Sequence, residues 1–290
     1  MSKIMQKNKP FFYLSITFLL MIIITVIFYF LGIRLNNTSS FLALNFYFFI
    51  PFVAVFLTKV VIYREKFWQK DYFNLQFNAN FLLIVYFLLG LEFLVFAVNI
   101  LLPYIHFTTD QGLLLEKYAR IFSPKQFAVL TKFVIDFNIN FFWMINLFVG
   151  VLVGLTSGAF FAYFQEIGWR GFLYDNYKIM GFWRASLYIV FWQALFYLPL
   201  ILIGYSDFYM LVIYILISPI LILIRRLSGS VIYPAIFVGV LNSTYALATF
   251  FVVGAPAWVI NFNGVVGIFV LLIFNFCLYF YLKKRKEYLL

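Results

Sequence analysis

The chain has 290 residues, of which 66% are hydrophobic and only 11% charged, and its mean hydropathy is +1.01. A soluble chain of this length needs far more charge to cover its surface, so the excess apolar surface must face lipid. The net charge of +11 does not point to nucleic acid, because the basic residues lie between long apolar runs in the pattern of positive-inside membrane proteins.

The apolar runs are continuous and do not alternate, which excludes a β-barrel and predicts helices of about 20 residues each. The start of the chain carries Lys3, Lys7 and Lys9 and leads into an apolar run from Pro10 to Gly32. That run is too long for a signal-peptide core and lacks a small-residue cleavage site, so it is expected to stay as an uncleaved first span. The expected spans are 10–33, 40–63, 80–103, 139–164 with an extension toward 174, 183–205, 208–225, 230–253 and 259–282. Between the third and fourth, residues 104–138 hold Leu113, Leu114, Tyr118, Ile121 and Phe122 beside Glu116, Lys117 and Arg120. This pattern predicts an amphipathic helix at the interface. A second helix start is expected at Ser123, with Pro124 in the first turn and Gln126 closing a capping box. The fold class is therefore all-α: one polytopic transmembrane helical bundle of about eight spans, a single membrane domain over residues 1–290.

Orientation follows from Lys and Arg. Of the 21 such residues, only Arg34, Lys117, Arg120, Lys125 and Lys132 fall in the segments that would be outside if both termini are cytoplasmic. That asymmetry predicts both ends inside. The wealth of Phe, Tyr, Ile, Asn and Lys is that of an AT-rich genome, so a bacterial cytoplasmic membrane is the expected location, multi-pass. Trp68, Tyr72, Tyr104, Trp143, Tyr205 and Trp258, near span ends, read as interface anchors.

Charged groups inside spans are costly and need an explanation. Glu92, near the centre of the third span, reads either as a proton or substrate site or as a carboxyl bonded to a neighbouring helix. The fourth span says more. Gly150, Gly154, Gly158 and Ala162 recur every four residues and would let another helix come close. The same series continues into Glu166 and Arg170, the favourable order for a helical ion pair.

The segment Gln165-Glu166-Ile167-Gly168-Trp169-Arg170-Gly171 resembles the first signature, E-E-x-x-W-R-G, of the CAAX-protease and bacteriocin-processing (CPBP) family of intramembrane metalloproteases. Phe191 to Pro199, FWQALFYLP, resembles the second motif, which usually ends in Trp-His-x-Pro. Tyr233 to Ser243, YPAIFVGVLNS, resembles the last motif, with Pro-Ala, then His, then Asn. The resemblance covers about residues 150–244. In the family, the first Glu acts with two His and an Asn to activate water for peptide cleavage, with a metal as a possible cofactor. Here those positions carry Gln165, Tyr197, Gly239 and either Asn242 or Ser243, while Glu166, Arg170 and Gly171 are retained. An amide cannot act as a general base, a phenol with a pKa near 10 is a poor imidazole, and glycine has no side chain. For those positions to converge, the fourth span must continue past Arg170 to about Tyr174.

A second argument does not need the alignment. The chain has one His, His106, and one Cys, Cys277, so a two-His metal site is impossible and no cofactor is expected. A carboxylate-only site from Glu92 and Glu166 would be atypical. The resemblance then implies a scaffold kept without its chemistry. The leading expectation is a proteolytically inactive member that binds a membrane-protein, lipid-linked or bacteriocin-like peptide partner, in a self-immunity or envelope role. The first alternative is an active endopeptidase with Glu166 as base and Asn242 orienting the oxyanion. The second is a transporter or channel whose path is lined by Glu92 with Asn99, Asn146, Gln193, Asn242, Asn261, Asn263 and Asn275.

Overall fold

Hydrocarbon offers a backbone N–H or C=O no partner, so an apolar run that crosses it must satisfy those groups within a helix. The structure, a computed structural model, describes residues 8–32, 38–74, 79–108, 139–204, 208–245 and 247–284, and nearly all of them obey that rule. Helix α1 is Lys9–Phe30, with Pro10 in its first turn. Helix α2, Thr38–Phe56, runs on through a π-helical turn, Leu57–Ile62. Helix α3 is Ala79–Leu101. Helix α4 is one continuous rod assembled from Ile139–Val153, the π turn Gly154–Gly158, Ala159–Glu166, a second π turn Ile167–Leu173, and Tyr174–Tyr177. Helices α5, Phe182–Leu202, and α6, Phe208–Ser228, follow. Helix α7 is Ile232–Thr244 and helix α8 is Val265–Lys284. The expected interfacial helix and the Ser123 start lie outside the described residues.

Among the described residues, six helical segments are long and apolar enough to cross a membrane: Lys9–Phe30, Phe81–Leu101, Met144–Met180, Phe182–Leu202, Phe208–Ser228 and Ala257–Lys284. The apolar stretch Phe46–Ile62 within α2 and the helix α7 are shorter. The chain is a multi-pass membrane protein of the all-α class, with almost no sheet among the described residues. Large side chains such as Leu19, Ile22 and Ile23 on α1, or Leu272, Ile273 and Phe276 on α8, point away from the bundle to meet lipid.

Helix α4 separates two cores. Its second π turn packs with α1, α2 and α5 around Tyr13, Tyr47, Trp169, Phe172 and Phe196. Its Ala159 and Ala162 belong to the other core, formed with α3, α6, α7 and α8. The glycine series expected to admit a close neighbour does so, and the neighbour is α7. A Cβ on Gly158 would lie 2.8 Å from the carbonyl oxygen of Gly239, and one on Gly239 would lie 2.5 Å from that of Gly154 and run into the amide of Ala159. Both helices lack side chains at the crossing, so their backbones touch.

Two boundaries differ from the sequence expectation. The span expected over 230–253 ends as a helix at Thr244. After a short helix, Ala248–Phe251, the chain turns extended, and Val252–Val253 pairs antiparallel with His106–Phe107. Gly254, at φ +103, lies against the Tyr104 carbonyl where any Cβ would collide, and Pro256 prevents a return to helix before Ala257–Ile260. At 13 residues α7 spans only about 20 Å. Tyr233 to Leu241 are all buried, so this short helix is solvated by protein rather than by lipid. The fourth span, by contrast, runs beyond Tyr174 to Tyr177.

Gly239→Val should lower the melting temperature in detergent sharply, since the clash is with backbone and overpacking costs about 3 kcal/mol or more. Gly90→Ala on α3, where nothing lies within 4 Å, should leave it unchanged. Equal melting of the two variants would contradict the crossing described above.

Candidate functional site

The i+4 series that packs α4 on α7 turns, one step further on, into a charged pair. Glu166 and Arg170 are both buried, at 1% and 0% exposure. Arg170 Nη1 donates to Glu166 Oε1 at 3.0 Å, and Nη2 donates to Ser218 Oγ of α6 at 3.0 Å. Burying two charges is costly, and partners from other helices offset part of that cost, although Glu166 Oε2 and Arg170 Nε have none among the described residues. Arg225 of α6 adds a second tie, with Nε donating to the Arg170 carbonyl at 3.1 Å. Its Nη2 lies 3.6 Å from Asp71 and 3.7 Å from Asp175. Sequence reasoning counted Arg225 only as a cytoplasmic charge and did not single out Ser218. Ser218 precedes Pro219 in α6, and a small polar residue beside a helix-interior proline was the available signal.

Gly168, at a variable position of the motif, has a concrete job. A Cβ there would meet the Tyr13 hydroxyl and lie 2.5 Å from Pro51 Cβ, so glycine lets α1 and α2 reach the charged pair. Trp169 stands edge-on to Tyr13 at 6.1 Å and to Phe196 at 5.5 Å and is itself fully buried. Gly171 makes room for Tyr72, 3.1 Å from where a Cβ would stand.

Two of the altered motif positions meet. Tyr197 Oη donates to Gln165 Oε1 at 2.5 Å, and both side chains are 5% exposed. The Tyr197 ring stacks on Tyr214 of α6, 4.3 Å between centroids and 3° apart in plane. The phenol that replaces an imidazole and the amide that replaces a carboxylate are thus bonded to one another, linking α4 to α5.

The other two positions stand apart. Gly239 is pressed against Gly154, Gly158 and Ala159. Gly158 precedes Gln165 by seven residues, a rise of roughly 10 Å along α4. Asn242 is exposed on α7 and makes no hydrogen bond to Gln165, Glu166 or Tyr197 among the described residues, while its neighbour Ser243 bonds back to the Gly239 carbonyl at 3.0 Å. The structure therefore gathers Gln165, Glu166, Arg170 and Tyr197 and leaves Gly239 and Asn242 elsewhere.

The remaining candidates are dispersed. Glu92 on α3 takes a hydrogen bond from Thr244 Oγ1 of α7 at 2.5 Å, so it joins two helices. His106 sits in the two-residue strand His106–Phe107, and Cys277 is exposed on α8. Among the described residues no three His, Cys, Asp or Glu side chains cluster. Asn99 Nδ2 donates to Val95 and Ile260 carbonyls at 3.0 and 2.7 Å, and Asn275 Nδ2 to Leu216 and Leu271 at 2.8 Å each. These two asparagine amides bind their helices to neighbouring backbone.

Arg170→Ala leaves Glu166 buried without its cation and should cost about 3–5 kcal/mol in stability. Replacing both, as Glu166→Gln with Arg170→Met, should restore much of it. Tyr197→Phe should cost about 1–2 kcal/mol through the unpaired Gln165 oxygen. Thermal melting of the purified variants checks all three, and a double variant no more stable than Arg170→Ala would count against the coupling.

Comparison of the chain with protein-family models, with curated proteins and with solved structures finds no match in any of the three.

Proposed function

We propose that this chain is an eight-span membrane protein with both termini cytoplasmic, built on a CPBP-like scaffold, that acts by holding a membrane partner and not by cutting peptide bonds. The observation that carries this reading is the bond between Tyr197 and Gln165. At the positions where water activation needs a carboxylate and an imidazole, an amide and a phenol are spent on each other. Glu166 supports the same conclusion, because a general base must be free to take a proton and this carboxylate is held by Arg170 in a buried pair. The partner class is what the resemblance implies: a membrane protein, a lipid-linked molecule or a bacteriocin-like peptide, within a self-immunity or envelope role. The orientation rests on the distribution of Lys and Arg, five of 21 in the outer segments.

The competing reading, an endopeptidase with Glu166 as base, draws on one feature: Glu166 Oε2 is buried and accepts no hydrogen bond among the described residues. The two readings part in a cleavage assay. Purified protein incubated with membrane-spanning peptides is expected to leave them intact, with Glu166→Gln indistinguishable from the native chain. Cleavage that Glu166→Gln abolishes would establish the peptidase and overturn the proposal. Isolation in a mild detergent is expected to retain a stoichiometric partner; a clean monomer across several detergents would argue against partner binding.

Topology has its own check. A fluorescent reporter that matures only in the cytoplasm should light up when fused after Leu290 and stay dark when inserted after Gly204, in the turn between α5 and α6. Fluorescence at both sites would refute the eight-span arrangement.

A further inference from the structure

Helices α1 and α5 leave a gap between them at the end of the bundle where α1 begins, α4 ends and α5 begins. A cleft of about 560 Å³ opens there, within the size range of small-molecule sites. Its walls are Ser15 and Phe18 from α1, Tyr188 and Trp192 from α5, and Asn176 and Tyr177 from the last turn of α4. Tyr177 and Tyr188 meet at 4.4 Å near the mouth, and Phe18 and Trp192 meet at 5.5 Å deeper in. The interior is therefore aromatic and apolar.

The mouth is different. Arg184 lies four residues before Tyr188 and eight before Trp192, so the three share one face of α5. Long side chains on a helix lean toward its N-terminus, so Arg184, which is not itself a wall residue, extends at the end of α5 where the cleft opens. Arg184 is exposed and forms no ion pair among the described residues. The next cation, Lys178, already has Asp175 at 3.3 Å. One positive charge with no ion-pair partner among the described residues thus lies near the open end of an apolar slot, at the level of the helix ends, where lipid headgroups lie.

We propose that this cleft holds one anionic phospholipid, its phosphate against Arg184 and an acyl chain along Phe18 and Trp192. A zwitterionic phospholipid brings no net charge to answer the arginine. A peptide would need main-chain hydrogen bonds, and the Asn176 amide is already spent on the Phe172 carbonyl at 2.7 Å. A single-tailed anchor beside a basic residue is the arrangement that lipid electrostatics favours. The site is separate from the Gln165–Tyr197 cluster, so it stands whether or not the chain cleaves peptides.

Native mass spectrometry of the full-length protein in detergent tests the site, with phosphatidylglycerol and phosphatidylcholine of matched chains as probes. One phosphatidylglycerol should survive activation that strips phosphatidylcholine. Arg184→Gln should weaken its retention about fivefold, the loss expected for one cation at a membrane surface. Arg184→Lys should keep most of it. Ser15→Phe, which fills the slot and leaves the arginine in place, should abolish it with the melting temperature preserved. Equal retention of both lipids, or phosphatidylglycerol binding that survives both Arg184→Gln and Ser15→Phe, would overturn the proposal. So would a tightly bound polypeptide protected by the cleft in place of lipid.

Discussion

A guanidinium with no solvent exposure, in the middle of a helix surrounded by apolar side chains, is the constraint from which most of this architecture follows. Arg170 cannot be left alone in such surroundings, because an unpaired buried charge costs more than any single contact nearby can return. Glu166 answers its charge, Ser218 takes a further proton, and Arg225 fixes the main chain at the same residue. Gly168 and Gly171 carry no side chain, so α1, α2 and Tyr72 come up against the pair and keep it dry. The charged site and the close packing are one device, since each requires the other.

Helix α4 works differently along its length. In its first half it is thin: glycine and alanine let α7 lie backbone to backbone. In its second half it is bulky, with Trp169, Phe172 and Leu173 filling the core shared with α1, α2 and α5. A π turn lies within each regime, at Gly154–Gly158 and Ile167–Leu173. Each wide turn shifts the face that a regular helix would present, and such turns recur at sites where a helix does more than span. Tyr197 and Gln165 lie beside the second, so their bond ties the turn to α5.

Much of this was legible in the amino-acid order. The continuous apolar runs gave the helical class, the four-residue glycine repeat marked the close contact, and the spacing of Glu166 and Arg170 predicted their pair. What could not be read were the partners supplied by other helices. Pro219 marks Ser218 as a position to notice but does not name Arg170, 48 positions away, as its partner, and nothing in Thr244 announces Glu92. Packing chooses those pairs, and a single sequence does not record it. The end of α7 was missed for another reason. Hydropathy stays high through Val252 and Val253, so composition carries the span onward, whereas Gly254 and Pro256 and the pairing with His106 stop it. The alignment of motifs placed Gly239 and Asn242 with the cluster, but position in a motif fixes order along the chain and not depth across the bundle.

The two acidic residues inside the bundle differ in how soon they find their partners as the chain emerges. Arg170 follows Glu166 by one helical turn, so this pair can enter the bilayer already neutralised, within a single helix and before α6 exists. A lone arginine at the centre of an inserting helix costs about 3 kcal/mol, and local pairing removes much of that burden at the moment of insertion. Glu92 has no such neighbour. Its partner Thr244 is made 152 residues later, so α3 must carry the carboxyl alone until α7 arrives. The order of synthesis therefore makes α4 a unit that is complete on entry and α3 one that waits.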